Sequence, residues 1–90
     1  MIHITFVGPI TEITNTKEIQ VAIQTGDVLS IDQLIELLAK RYGDVIKEEL
    51  TLPNRYQILI NGQNIYNLEG FKSKVSYGDN VLISFPLAGG

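Results

Sequence analysis

The hydrophobic positions of this chain change period several times, and each change marks an element. "MIHITFV" alternates Ile2, Ile4 and Phe6 with His3, Thr5 and Val7, the pattern of a strand that buries one face. "KEIQVAI" alternates again through Ile19, Val21 and Ile23. Between them "GPITEITNT" holds Gly8, Pro9 and Asn15 and reads as a loop, so the two runs predict a hairpin. The period then becomes helical: Ile31, Leu34, Ile35, Leu38 and Tyr42 form one apolar stripe. Ser30 and Gln33 have capping-box spacing, Leu29 and Leu34 that of the matching hydrophobic staple, and Gly43 stands where a left-handed cap would end the helix.

"DVIKEELTLPNR" predicts a short turn of helix, then a loop at Pro53 and Asn54. "YQILI" is a strand, Asn61-Gly62 is the preferred pair for a tight hairpin turn, and "QNI" begins the returning strand. "YNLEGFKSKVSYGD" reads as a long connection whose Leu68, Phe71 and Val75 pack under the sheet. Gly78-Asp79 is a turn, and "NVLISF" is the last strand.

A single stripe-faced helix needs a sheet to cover it. The first and last strands are both strongly apolar, which places them side by side at the sheet centre. They run parallel because the helix lies in the crossover between the hairpins. The expected fold class is therefore α+β: a β-grasp, with a mixed sheet of about five strands packed on one main helix. It forms a single domain over residues 1–90, with a flexible C-terminal tail over residues 86–90.

Composition narrows the chemistry. A hydrophobic content of 44% and a charged content of 19% suit a folded soluble chain and not a disordered one. The net charge of −3 argues against a nucleic-acid partner, whose binders carry a basic face. Cysteine is absent, so the chain has no disulfide, thiolate metal site, thiol nucleophile or persulfide of its own. His3 is the single histidine and builds no metal cluster alone, so no metal site is expected. "MIHITFVG" lacks the basic flank and long apolar run of a signal peptide, and nothing approaches the roughly 20 apolar residues of a membrane span. A cytoplasmic protein with no membrane partner is expected.

No side-chain catalyst emerges. There is no Ser/His/Asp set, and "TGDVLS" before the helix lacks the second glycine and the lysine of a phosphate loop. Asp27 with Asp32, and Glu48 with Glu49, read as solvated charges near helix ends. His3 reads as an exposed strand residue, and Tyr42, Tyr56, Tyr66 and Tyr77 as core-edge residues.

The candidate chemistry lies in "FPLAGG". A carboxylate is a poor electrophile in water, but coupling it to a nucleotide makes it a good one. The coupling enzyme must bring ATP to within bonding distance of the chain end. Gly89 and Gly90 have no side chains to obstruct that approach and fit a narrow channel in extended form. Pro86 stiffens the chain before them and Ala88 keeps it slim. The stretch follows directly from a predicted central strand, which would hold its base rigidly.

Two stretches carry a resemblance. "ILINGQNI" (residues 58–65) resembles the hairpin turn of the MoaD/ThiS ubiquitin-like sulfur carriers. "YGDNVLISFPLAGG" (residues 77–90) resembles their Gly-Asp-x-Val strand running into a double-glycine end. The resemblance covers essentially the whole length. It implies that an adenylating enzyme of the MoeB/ThiF type uses Mg-ATP to form an acyl-adenylate on the Gly90 carboxylate. A persulfide on another protein then replaces the adenylate and leaves a thiocarboxylate. No cofactor is bound by the carrier itself.

Length, the opening "MIHITFVGPITEIT" and the end "SFPLAGG" resemble the MoaD branch, the small subunit of molybdopterin synthase. That branch implies a heterotetramer with a large subunit of the MoaE type. Phe85, Pro86, Leu87, Ala88 and Gly89 would insert there, and Gly90 would give its sulfur to a pterin precursor of the molybdenum cofactor. One departure stands: family tails often carry two consecutive prolines, and here Phe85 precedes Pro86, with Ser84 where an aromatic is frequent. Val7 and Leu59 point outward by alternation, opposite the helix, and are the expected partner surface. A thiamine-thiazole or tRNA-thiolation carrier, an archaeal protein modifier, and a non-covalent β-grasp binding module are the alternatives.

Overall fold

The structure, a computed structural model, describes residues 1–85. Strand β1 (Ile2–Val7) pairs antiparallel with β2 (Glu18–Val21) and parallel with the last strand, β7 (Asn80–Ser84). On its other edge β7 pairs antiparallel with β4 (Gln57–Ile60), which pairs with the short β5 (Gln63–Asn64). The five-stranded order is β2-β1-β7-β4-β5, so the first and last strands lie beside each other and parallel, as the apolar pattern predicts. This is the β-grasp arrangement.

Helix α2 (Ile31–Tyr42) fills the crossover. The capping box forms: Ser30 Oγ accepts from the Gln33 N–H at 3.1 Å, and the Ser30 N–H donates to Gln33 Oε1 at 2.9 Å. Two otherwise orphan amides of the first turn are thereby satisfied. Ile31, Leu34, Ile35 and Leu38 meet Ile2, Ile4, Phe6, Ile58, Ile60, Val81 and Ile83 in one core. Alternation in each strand puts those residues on the same side of the sheet. Phe6 and Tyr42 close one end of the core edge to face, with ring centroids 6.3 Å apart.

Several expectations are corrected. The predicted loop after β1 contains helix α1 (Ile10–Thr14), whose Ile10 and Thr14 are buried and whose C-cap, Asn15, is left-handed. The predicted short turn after α2 is a second full helix, α3 (Asp44–Thr51), which buries Ile46 and Leu50 one turn apart. Gly43 has φ 95 with ψ 164, so it separates the two helices by an extended step and not by a left-handed cap. Ile23 lies beyond the end of β2.

The long connection is also more ordered than its sequence suggests. It contains two 3-10 turns (Ile65–Asn67 and Gly70–Lys72) and strand β6 (Lys74–Ser76). Strand β6 pairs with β3 (Val28–Ser30) in a separate two-stranded ribbon, with Leu29 opposite Val75. Val75 is buried and Phe71 packs against the core, but Leu68 is 43% exposed and does not sit under the sheet.

The two stretches that carry the family resemblance clasp each other. Asn61 Nδ2 donates to Asp79 Oδ1 at 3.0 Å, and the Asn80 N–H donates to Asn61 Oδ1 at 2.9 Å. Asp79 Oδ2 accepts from the Ser76 N–H at 2.7 Å. Asn61 and Gly62 both have positive φ, 50 and 85, as a tight two-residue hairpin turn requires. These motifs are therefore explained by turn chemistry that fixes β4 against β7.

Candidate functional site

Strand β7 is laddered on both edges, and Phe85 follows its last residue, Ser84. Ser84 stands opposite Val7 on one side and Gln57 on the other. One step further along both registers come Gly8, Phe85 and Tyr56. The Phe85 ring lies against Tyr56 with centroids 4.9 Å apart and planes tilted 34°. On the opposite side a Cβ placed on Gly8 would lie 3.7 Å from both Cβ and Cγ of Phe85. Gly8 has φ +93, a conformation that strains any other residue, so no side chain stands between it and the ring. Tyr56 is 7% exposed and Phe85 39%, so one ring is part of the core and the other rests on it.

Pro86 comes next in sequence, and a proline restricts both its own φ and the backbone of the residue before it. Of the expected inserting and reactive residues, Phe85 lies against Tyr56, while Pro86, Leu87, Ala88, Gly89 and Gly90 lie outside the described residues.

Charge surrounds this corner unevenly. Arg55 Nε donates to Glu49 Oε2 at 2.9 Å. Burial, and then the nearby Glu49 carboxylate, raise the Tyr56 hydroxyl above the ordinary tyrosine range; Glu12 adds to the shift and Arg55 opposes it. Among the described residues no group of His, Asp and Glu side chains is arranged to hold a metal ion. His3 Nε2 meets Glu18 Oε2 at 3.1 Å, and Asp32 meets Lys72 at 3.2 Å. Those residues serve surface ion pairs. No described helix is long and apolar enough to cross a membrane.

The sheet face away from the helices carries the other expected residues. Glu18, Thr5, Leu82, Leu59 and Asn64 stand in one row across the five strands. Leu59 and Leu82 are directly opposite and half-buried. Val7 is 49% exposed and lies on the same face, diagonally from Leu82. In the same outer row as Val7, Gln57 Nε2 donates to Ser84 Oγ at 3.2 Å. Leu82, which the sequence reading passed over, thus stands between the expected pair, Val7 and Leu59, on this face. The signal was present: in "NVLISF" the buried Val81 and Ile83 force Leu82 outward.

Comparison with known proteins follows from this geometry. The sequence profile of the ThiS family matches residues 4–90. The chain belongs to the ThiS family. Its members are ubiquitin-like sulfur carriers. A candidate sulfur carrier protein of Archaeoglobus fulgidus is 35% identical over 66 residues, which is 69% of this chain and 75% of that protein. Among solved structures, a chain of the BexX/CysO complex of Amycolatopsis orientalis superposes with a TM-score of 0.77 at 17% identity, covering 100% of both chains. Small archaeal modifier protein 1 of Methanosarcina acetivorans gives 0.72 at 20% identity, covering 99% of this chain and 95% of the other. At those identities the likeness is one of fold. As a ThiS-family chain without cysteine, this protein holds no thiol of its own on which to carry sulfur.

Proposed function

We propose that the chain carries sulfur on the terminal carboxylate of Gly90, and that it does so as the small subunit of molybdopterin synthase. One observation carries the reading. The central strand β7, held on both edges, ends at Ser84, the next residue, Phe85, stacks on the buried Tyr56, and the residues that follow are Pro86, Leu87, Ala88, Gly89 and Gly90. The family match, which runs through residue 90, supports the carrier role.

Chemically, a Gly90 carboxylate oxygen attacks the α-phosphorus of Mg-ATP held by a partner adenylating enzyme, and pyrophosphate leaves. The terminal sulfur of a persulfide attacks the acyl carbon and AMP leaves. A second thiol cleaves the resulting sulfur–sulfur bond and is itself oxidised to a disulfide, leaving the thiocarboxylate. Gly89 and Gly90 contribute slenderness, since no side chain blocks approach to the acyl carbon. The outward Val7, Leu59 and Leu82 supply an apolar docking face beside the tail's base.

In the synthase, the sulfur passes to the pterin precursor, and water returns the oxygen to Gly90. The opening "MIHITFVGPITEIT" and the end "SFPLAGG" support this branch. The test is reconstitution: thiocarboxylated chain, a synthase large subunit and the pterin precursor are expected to yield the dithiolene product. Sulfur appearing only in a thiazole or a thiolated tRNA would move the chain to another branch. The name of the Methanosarcina neighbour suggests a second reading as a protein modifier. There a lysine amine replaces the adenylate, giving conjugates that survive reducing gels.

A further inference from the structure

We propose that Tyr56 is a positioning residue for the tail, acting through Phe85 and backed by Gly8. The inference rests on the reading that Gly90 is the activated group, and adds which residues aim it. Phe85 is the last described residue before Pro86, and the proline restricts its backbone, so residues 86–90 continue from a point held against Tyr56. Its side chain is held from the β4 side. Tyr56, just before β4, stacks on it at 4.9 Å, and Gly8, just past β1, leaves open the space where a Cβ would sit 3.7 Å from Phe85 Cβ and Cγ.

The registers place both neighbours beside Phe85. Tyr56 stands at the step of the β4–β7 register just past Gln57 and Ser84, where an antiparallel partner of Phe85 belongs. Gly8 stands at the corresponding step of the β1–β7 register past Val7 and Ser84. Tyr56 is nearly fully buried and cannot easily give way. The pair also faces away from the Val7, Leu82 and Leu59 surface, because Gly8, Phe85 and Tyr56 are each one residue out of phase with outward Val7, Ser84 and Gln57. Docking and aiming are therefore carried by opposite sides of the sheet.

That separation makes the role measurable. A displaced tail base lowers the fraction of bound carriers whose acyl carbon meets the α-phosphate, and small displacements of reacting groups cost up to about a hundredfold in rate. The affinity of the sheet face for the activating enzyme is untouched. The expected signature is a fall in kcat with KM for the carrier unchanged.

The experiment is ATP–pyrophosphate exchange by the cognate adenylating enzyme, with carrier concentration varied, for wild type, Tyr56→Leu and Tyr56→Phe. Melting curves are recorded for each variant. Tyr56→Leu is expected to lower kcat about tenfold or more at a temperature well below its melting point, with KM within about twofold. Tyr56→Phe, which keeps the ring and drops only the hydroxyl, is expected to restore kcat. Tyr56→Met, which fills the space without a ring plane, replaces Tyr56→Leu if that variant does not fold, and is expected to show the same loss. A leucine or methionine variant with wild-type kcat, or a loss confined to KM, overturns the positioning role. Absence of exchange with the wild-type chain overturns the carrier reading itself, which separates the two failures.

Discussion

The rings of Phe85 and Tyr56 meet with centroids 4.9 Å apart and a tilt of 34°, which ties the end of the central strand to the start of its neighbour. Such a pair contributes about 0.5–1.5 kcal/mol beyond its burial. Its larger consequence is geometric, because it holds the residue that precedes Pro86 against the core. Under the proposed carrier role, delivery of the chain end depends on such a fixed base.

Tyr56 also leaves a signature in stability. Its hydroxyl titrates above the ordinary value of 10.0, chiefly because it is buried. Below about pH 10 both folded and unfolded chains keep the proton, and the contribution is complete. Above that, the unfolded chain releases its proton first, so stability falls as pH rises until the folded hydroxyl ionises too. Chemical denaturation from pH 8 to about pH 11 is expected to show this decline, and Tyr56→Phe is expected to lessen it.

Docking is expected to depend on Val7 and Leu82. Val7→Asp places a charge at a half-exposed position on the sheet face and costs little folding stability. It is expected to raise KM for the activating enzyme by about tenfold or more, as loss of an apolar anchor at an interface does. Steady-state kinetics check this. A rise in KM without change in kcat is the reverse of the Tyr56 signature.

The clasp between Asn61 and Asp79 is structural. Asn61→Ala removes an acceptor for the Asn80 N–H and a donor to Asp79, and puts a methyl-bearing residue at φ 50. It is expected to destabilise the fold by about 1–3 kcal/mol, read from urea unfolding. Asn61→Gly keeps the turn conformation and isolates the side-chain bonds.

Features of the fold written in local chemistry were legible in the chain. The Ser30–Gln33 box, the Asn61-Gly62 turn and the alternation of β1 and β7 each depend on residues a few positions apart. Helix α1 was not legible because five residues show too little period, and Gly8 and Pro9 before it signal a loop. The β3–β6 ribbon was hidden because Leu29 meets Val75 across about half of the chain and each strand is three residues long. Leu68 faces outward because a 3-10 turn intervenes, which apolar character alone does not reveal. At the site, Leu82 follows from alternation, whereas Tyr56 and Gly8 become visible only once both registers of β7 are known.

The most direct test of the central claim is the intact mass of the full chain after incubation with its adenylating enzyme, Mg-ATP and a persulfide donor with thiol. The predicted result is replacement of one oxygen by sulfur, mapped by fragmentation to Gly90 and abolished by Gly90→Val with the fold intact. An unchanged mass for the wild-type chain, or sulfur found anywhere other than Gly90, would contradict it.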